Sequence, residues 1–406
     1  MEKNFLNFCY FSTHRNIYYY YVIINIEDMI SYKYKLYRTN SIKYLNNMLR
    51  EACFVWNHAL ALQKRYYHLY GKYVSSATMQ KYFAKRIKRV YLHSQSVQEV
   101  LQRLDTAYAR FFKHTAKRPP KFKKCSDFAS FCYKQGGFTL QDNVFHVNSV
   151  KKNYKFSLSR PYEGKVKQVR VKRSHLGEWY IYVITDASPK SYAKTHDGAS
   201  VGIDFGLKTY LTLSDGEKVN NPQFLKHELR QLKKASQRHS RCLKDSNHKE
   251  QARLALCRLH ESISDKRTDF QWKLAHDLCK RYDHIFIEDL NLQGMTKLWG
   301  RKMNDLAHAS FVSILEQVAA KYGCTVHKID KWFPSSKLCD CGYKNDNLSL
   351  NERSWACPRC GQIHDRDVHA AEMILRRGIY ELASNGKTLV PFGFEAIAFE
   401  SRIPLL

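Results

Sequence analysis

The stretch "CPRCGQIHDRDVHAAEMI", residues 357–374, places a cysteine pair next to aspartates at the start of a helical pattern. Cys357 and Cys360 have the two-residue spacing of a zinc knuckle, which lets both thiolates reach one metal ion. Asp365 and Asp367 follow, and the segment after them has the apolar period of a helix. The stretch therefore predicts a metal-binding module whose end delivers a carboxylate to the mouth of a helix.

Two further cysteines, Cys339 and Cys341, complete a set of four with Cys357 and Cys360. Four thiolates are a typical tetrahedral site for structural Zn²⁺. The first pair has only one residue between its cysteines, and this spacing strains the turn in which backbone amides face the sulfurs. We predict Zn²⁺ bound by all four. Two alternatives stay open: three cysteines completed by His364, or a module without metal.

The composition indicates a polyanionic partner. The 406 residues, enough for two or three domains, include 67 Lys and Arg against 37 Asp and Glu, a formal net charge of +30. This excess fits nucleic acid or an anionic membrane surface, and its spread along the chain favours nucleic acid. No apolar run reaches the roughly 18 residues of a membrane span. We expect no membrane partner and a cytoplasmic, nucleoid-associated protein of prokaryotic type.

The first half of the chain changes character several times. Residues 1–28 are aromatic and irregular, which indicates a dispensable extension or a true start at Met29. Residues 29–40 alternate like a strand, 41–118 have helical periods, and 119–190 contain short alternating strands. We predict a small β-barrel from 29–40 and 119–190, with the helices inserted into it.

Basic residues are interleaved with aromatic ones in "KYFAKRIKRVY", residues 81–91. This pattern fits a stacking and phosphate-binding face, or a basic amphipathic helix that merely packs its aromatic side chains. The segment "KRPPKFKK", residues 117–124, adds a second basic run. The candidate nucleic-acid contacts are Lys85, Arg86, Lys88, Arg89, Lys121, Lys123 and Lys124.

Carboxylates occur at three special places in the second half. Asp204 lies in a predicted apolar strand, Glu288 ends another, and Asp367 opens the last helix. Taken singly, they fit a turn former, a solvated strand end and a helix cap. Together they predict a divalent-cation site, because ionised groups that converge in an apolar setting need a counter-charge. Oxygen ligands suit Mg²⁺ or Mn²⁺ and a two-metal phosphodiesterase.

The motifs "GIDFGLK" (202–208), "IFIEDLNLQGM" (285–295) and the cysteine segment resemble those of the TnpB (OrfB) family. These transposon-encoded proteins are related to type V CRISPR effector nucleases, and the resemblance covers roughly residues 29–378. It implies an RNase H-like (RuvC-like) domain with a zinc-ribbon-type insertion and a catalytic triad of Asp204, Glu288 and Asp367. Asp365 is the fallback for the third position.

The resemblance also implies a function, an RNA-guided DNA endonuclease that depends on a divalent metal. Its partners would be a guide RNA from the transposon end and double- and single-stranded DNA. His369 stands where the family usually has Asn, and the exchange could weaken the acidic site or make it depend on pH. Two other functions stay open: a nucleic-acid binder without cleavage, and a DNA transposase that needs no guide.

The predicted fold class is α/β and α+β multidomain. The β-barrel with its helical insertion comes first, and the RuvC-like domain follows. The predicted nuclease domain comprises 199–331 and 364–379, the zinc-knuckle insertion 332–363, and the tail 380–406.

Overall fold

The computed structural model describes residues 29–384 except 89, 188–191, 195–197, 291–299, 301–304 and 350–351. The predicted extension 1–28, Arg89 and residues 385–406 of the predicted tail lie outside the described residues. The described chain divides into two compact units. The first holds residues 29–174 and 178–187, and the second holds 175–177 and the described residues from 192 onward.

Three helices dominate the first unit: α1 (Ile42–Tyr70), α2 (Ser76–Arg86) and α3 (Ser94–Phe112). Helix α1 buries an apolar stripe at the period of 3.6 residues and ends at Gly71, whose φ of 62° suits glycine. Ser75 caps α2 by accepting a hydrogen bond from the amide of Thr78. The apolar periods in the sequence therefore become the buried faces of α1 and α3.

The strands of the first unit form two antiparallel sheets. The order of the larger sheet is β1-β7-β6-β2, that of the smaller one is β3-β4-β5, and a bridge joins Leu36 to Phe156. Strand β1 precedes the helices, yet it pairs with β7, with Tyr34 opposite Ile181. The strands are β1 (Ile30–Lys35), β2 (Ser130–Tyr133), β3 (Phe138–Gln141), β4 (Val144–Val147), β5 (Lys152–Lys155), β6 (Val166–Arg173) and β7 (Trp179–Thr185).

A five-stranded sheet with the order β10-β9-β8-β11-β12 organises the second unit. Strand β8 pairs antiparallel with β9 but parallel with β11, and β11 pairs parallel with β12. Parallel neighbours end at the same edge of a sheet, and this edge receives the last residues of β8 and β11. The strands are β8 (Ser200–Asp204), β9 (Thr209–Leu213), β10 (Lys218–Asn220), β11 (His284–Glu288) and β12 (Thr325–Ile329).

Helices connect β10 to β11 and β11 to β12, and the last helix of the unit packs directly on the sheet. They are α4 (Phe224–Arg241), α5 (Asn247–Arg281), α6 (His308–Tyr322) and α7 (Arg366–Ser384). A Cβ at Gly202 would lie 2.1 Å from the carbonyl oxygen of Ala371, and one at Gly378 would lie 1.9 Å from the ring of Phe286. These glycines therefore allow the close approach of α7 to β8 and β11, which places the start of α7 near the strand ends.

The cysteine segment lies between β12 and α7 and contains the hairpin of β13 (Ser354–Ala356) and β14 (Ile363–Asp365). Trp355, Leu348, Cys339 and Cys357 are buried together in a small cluster of their own. None of the helices in the described residues combines the length and apolar character needed to cross a bilayer.

Candidate active site and metal centre

Asp204 and Glu288 are the last residues of two neighbouring parallel strands. The register pairs Ile203 of β8 with Ile287 of β11, so the next residue of each strand is a carboxylate. Ser335, which follows β12 in the chain, donates a hydrogen bond of 2.5 Å to Oε1 of Glu288. The sheet therefore brings these two predicted site residues together at one edge.

Asp367 lies in the first turn of α7, and its carboxylate is not the helix cap. Asp365 has that role, because its Oδ1 accepts hydrogen bonds from the amides of Asp367 and Val368, at 3.1 and 3.2 Å. The other oxygen of Asp365 forms an ion pair with Lys218 at 2.7 Å. Asp365 is therefore the cap of α7. The side chain of Asp367 takes no part in capping and is available for another contact.

The three carboxylates interact electrostatically. Burial, then the charges of Glu288 and Asp367, raise the pKa of Asp204 to about 7, while Arg366 and Arg353 oppose the rise. Burial also raises the pKa of Glu288, against the hydrogen bond from Ser335. Asp204 is therefore costly to ionise in this setting unless a cation joins the cluster.

Two arginines at this site were not among the predicted site residues. Arg353 donates to Oδ1 and Oδ2 of Asp367, at 2.7 and 3.1 Å. Arg366 is buried and donates to the carbonyl oxygens of Ser349 and Glu352, which ties the cysteine segment to the start of α7. Arg366 lies in the opening stretch 357–374, but the spacing of that stretch does not predict its contacts, and the folded hairpin brings Arg353 to Asp367.

The four predicted cysteines converge. Their sulfur atoms all lie within 4.8 Å of one another, with 3.5 Å between those of Cys339 and Cys360 and 3.6 Å between those of Cys341 and Cys357. Burial works against ionisation of Cys357, but the backbone amides of Cys360 and Arg359 outweigh it and lower its pKa to about 7. The cluster is compatible with a tetrahedral Zn²⁺ site.

The one-residue spacing of the first pair is accommodated by a shortened turn. The amide of Cys339 donates to the carbonyl of Tyr343 at 2.8 Å, and the amide of Gly342 donates back to the carbonyl of Cys339 at 2.9 Å. Gly342 has a φ of 82°, a conformation that favours glycine.

The second pair repeats this arrangement with one more residue. The amides of Cys357 and Gly361 bond to the carbonyls of Gln362 and Cys357, each at 2.8 Å, and the φ of Gly361 is 76°. Both turns therefore close on a glycine directly after the second cysteine. This shared closure explains why the shorter turn still brings its two sulfurs to the cluster.

His364 and His369 connect the cysteine cluster to α7. The Nε2 atom of His364 lies 3.2 Å from Sγ of Cys339, and the rings of the two histidines are 3.9 Å apart. Nε2 of His369 lies 2.7 Å from the carbonyl oxygen of Leu338. His369 thus contacts the cysteine segment.

The predicted nucleic-acid contacts belong to the first unit. Lys85, Arg86 and Lys88 are exposed at the end of α2, whereas Phe83 is buried in the core. Phe83 therefore packs in the core, as in the second of the two alternatives for this segment. The three basic side chains at the end of α2 face the solvent.

The second basic run is held against α1. Lys121 and Lys124 are exposed, and the side chain of Lys123 lies over the ring of Trp56 at 4.2 Å. Asn57 bonds to both the amide and the carbonyl of Lys123. The run is therefore held in place on α1, and all three of its lysines, Lys121, Lys123 and Lys124, are exposed.

Two family models match the chain: OrfB_IS605, described as "Probable transposase", over residues 182–298, and "Cas12f1-like, TNB domain" over 308–374. The chain in the cryo-EM structure of the Cas12f1–sgRNA–target DNA complex superposes with a TM-score of 0.55 at 14% identity, covering 83% of both chains. This similarity defines the fold as the mixed α/β architecture of that effector.

The curated relatives cover most of the chain. A "Putative RNA-guided DNA endonuclease" of Streptomyces pristinaespiralis is 33% identical over 363 residues, which are 86% of this chain and 89% of that protein. The "Putative RNA-guided DNA endonuclease InsQ" of Escherichia coli K12 is 29% identical over 360 residues, covering 82% and 88%. The chain belongs to the TnpB (OrfB) family.

Proposed function

We propose that this chain is an RNA-guided DNA endonuclease that cleaves phosphodiester bonds with the carboxylates of Asp204, Glu288 and Asp367. The observation that carries the proposal is the carboxylate cluster at the end of β8 and β11, where burial and then the charges of Glu288 and Asp367 raise the pKa of Asp204. Structural carboxylates avoid such proximity, whereas catalytic sites often contain it. Relatives that carry the name of this activity align with more than four fifths of the chain.

The second unit is the nuclease part in this proposal. Its strand order, with three antiparallel strands followed by two parallel ones, supports an RNase H-like (RuvC-like) domain over 199–331 and 364–379. The segment 332–363 is then an insertion that ends at the catalytic helix. The sheets of the first unit, 29–40 and 119–190, form the β-barrel, and its helices, 41–118, contact the RNA and the target duplex.

The three carboxylates suit Mg²⁺ or Mn²⁺, since both ions prefer oxygen ligands and the cluster brings three acidic side chains into electrostatic contact. Divalent ions bound there would activate a water molecule and neutralise the charge that develops on the leaving oxygen. Ser335 orients Glu288 through its hydrogen bond. The packing of α7 on the sheet, with Gly202 of β8 against Ala371 and Gly378 of α7 against Phe286, fixes the position of Asp367 relative to the two strands.

Arg353 supplies a positive charge at the same edge. Its guanidinium contacts Asp367 and lowers the pKa of Asp204, so it lies at the border of the carboxylate cluster. A guanidinium binds phosphate oxygens as readily as carboxylates. We infer that Arg353 exchanges its contact with Asp367 for the scissile phosphate when DNA enters.

Zn²⁺ bound by Cys339, Cys341, Cys357 and Cys360 has a structural role in this proposal. The insertion is tied to α7 by Arg366 and by the contact of His369 with Leu338. Fixing the insertion therefore fixes the residue at which α7 begins, and with it the direction of the Asp367 side chain.

A basic face on α4 supports a nucleic-acid partner for the second unit. Six exposed cations lie within about 140° of the helix circumference and span about 22 Å. Within the described residues none of them forms an ion pair, and Glu228, the acidic residue of α4, is paired with Lys266 of α5. The six residues of this α4 basic face are Lys226, Arg230, Lys233, Lys234, Arg238 and Arg241.

The first experiment is to purify the chain from cells that contain its own gene and sequence the co-purified RNA. A discrete RNA that maps beside the gene supports guided cleavage and origin of the guide at the transposon end. That RNA is then combined with the protein, Mg²⁺ and a matching DNA duplex. Cleavage by the wild type and not by Asp204→Ala is the expected result.

Other results separate the alternatives. Equal cleavage by the wild type and Asp204→Ala would contradict the assigned site. Specific binding of transposon ends by RNA-free protein, with no discrete RNA, would favour a guide-free transposase. Discrete RNA and target binding without any cleavage would leave a nucleic-acid-binding protein.

A further inference from the structure

The last two turns of α1 extend away from the core of the first unit. Gln63 is buried, but every residue from 64 to 70 is exposed. Three of these residues are tyrosines: Tyr66, Tyr67 and Tyr70 are 39, 60 and 61% exposed. Such a cluster of exposed aromatic residues at the end of a helix is unusual in a soluble protein and marks an interaction surface.

These tyrosines have no structural role within the described residues. The rings of Tyr66 and Tyr70 lie 4.7 Å apart, and no hydrogen bond joins the three hydroxyls to another described residue. Tyr73, three residues further on, differs in this respect. Its hydroxyl donates to Asp105 at 2.6 Å, and its ring packs on Tyr108. The core therefore accounts for Tyr73, but not for the three tyrosines at the tip of α1.

The positive charge around the tip of α1, residues 64–70, indicates which kind of partner this surface binds. The sequence contains no Asp or Glu between Glu51 and Glu99, whereas eight Lys and Arg occur there. Arg65 and Lys72 flank the tyrosines, are exposed, and form no ion pair with a described residue. Two such tips would repel each other, which disfavours a second copy of this chain. Aromatic rings among unpaired cations fit a polyanion with exposed π-faces.

We propose that Tyr66, Tyr67 and Tyr70 form a stacking surface for unpaired nucleobases of a bound strand, with Arg65 and Lys72 contacting its phosphates. The partner is single-stranded because bases in a duplex already stack on one another and leave no face free. Proposing nucleic acid as the partner rests on the proposed function, but stacking at this tip requires neither cleavage nor a divalent metal. Unpaired RNA and unpaired DNA both have the free base faces and the phosphates that this surface would contact.

The test measures binding of labelled single strands, about twelve nucleotides long, to the full chain by fluorescence anisotropy in EDTA. The background is Asp204→Ala, so that cleavage plays no part. Tyr67→Ala with Tyr70→Ala should weaken binding about tenfold or more, because stacking is worth about 1–3 kcal/mol per base. Trp at both positions should restore the affinity, and Leu at both should not.

An abasic strand of equal length has the same phosphates without bases. It should bind the wild type weakly and should be insensitive to the Ala changes. RNA and DNA strands are measured side by side, and the larger loss identifies the natural partner. Tyr37→Ala, which also removes an exposed tyrosine of the first unit, serves as the control and should leave binding unchanged.

Three results would overturn the proposal. The first is equal affinity of the Ala double variant and the wild type for both strands. The second is full restoration by Leu, which would indicate a general apolar contact. The third is a concentration-dependent dimer, seen by sedimentation, that the Ala changes abolish. Failure of the nuclease proposal would leave these binding measurements intact, because they need no cleavage.

Discussion

Arg353 donates two hydrogen bonds to Asp367, a residue 14 positions further along the chain, at 2.7 and 3.1 Å. The pair joins the cysteine insertion to the first turn of the helix that carries the third carboxylate. Because both oxygens of Asp367 are engaged, the guanidinium competes directly with any cation at this edge. The contact therefore connects the insertion to the chemistry of the site.

Arg353→Ala should lower the rate of DNA cleavage by about 10- to 100-fold, because one charge that would bind the scissile phosphate is lost. Arg353→Lys should recover part of the rate, since it keeps the charge but not the two-pronged geometry. Single-turnover cleavage at saturating Mg²⁺ measures the effect. Lys344→Ala removes an exposed cation paired with Asp346 in the same insertion and is the control. Equal loss in both variants would remove Arg353 from the site.

The raised pKa of Asp204 predicts a pH-dependent stability. Its pKa of about 7 in the folded chain lies above the ordinary 3.8. Between these two pH values, the folded state keeps a proton on Asp204 that the unfolded state has released. The contribution of Asp204 to the stability therefore falls as the pH rises from about 4 to 7 and does not change further above pH 7.

Asp204→Asn removes this penalty. The variant should be more stable than the wild type by about 2–4 kcal/mol at pH 8, and the excess should shrink as the pH falls towards 4. Mg²⁺ should raise the Tm of the wild type at pH 8 but not that of the variant. Thermal unfolding at several pH values, with Mg²⁺ or EDTA, measures both effects. A variant less stable than the wild type at pH 8 would contradict the electrostatic description of the site.

The sequence predicts that Asp204 and Glu288 lie at one edge of the sheet because a rule of chain geometry connects them. An apolar strand that ends in a carboxylate can be recognised locally, and parallel strands bring such ends to one edge. The choice of Asp367 could not be made from local chemistry, because Asp365 fits a helix start equally well and is the cap in the structure. Only the resemblance to TnpB proteins favours Asp367 over Asp365.

The contact of Arg353 and the closure of the shortened cysteine turn could not be predicted from the sequence. Arg353 is one of 67 Lys and Arg residues, and only the hairpin of β13 and β14 brings it to Asp367. The Cys339 turn closes through hydrogen bonds that involve Tyr343 and Gly342, and the number of residues between the cysteines does not reveal this closure. Both features arise from contacts between segments and have no signature in a single segment.

Zinc content provides a test of the cysteine cluster. Purified protein should contain about one Zn²⁺ per chain, and Cys341→Ser or Cys360→Ser should lower the zinc content and the Tm. His364→Gln should keep the metal if the four sulfurs are the ligands, and should lose it if His364 replaces one of them. Elemental analysis after dialysis measures the content. Cys125→Ser, which changes an exposed cysteine of the first unit, is the control.

The α4 basic face should contribute to affinity through phosphate contacts. Changing Lys226, Arg230 and Lys234 to Gln should weaken duplex binding and reduce the slope of log K against log salt by about 2–3, close to 0.9 per lost phosphate contact. The control triple variant changes Arg253, Lys273 and Lys328 to Gln. It removes the same formal charge from cations that already have carboxylate partners. Equal slopes for the two triple variants would show that α4 makes no specific contribution.

The packing of α7 on the sheet should control both stability and cleavage. A Cβ at Gly378 would lie 1.9 Å from the ring of Phe286, so Gly378→Ala must displace the ring or the helix. We expect a loss of about 1–3 kcal/mol in stability, despite the better helix propensity of Ala, together with slower cleavage because Asp367 moves with α7. Adding Phe286→Leu, which makes room beside residue 378, should recover part of both losses. Denaturant unfolding and single-turnover cleavage of the two single variants and the double variant measure this coupling. Additive losses would mean that the contact between Gly378 and Phe286 does not set the position of α7.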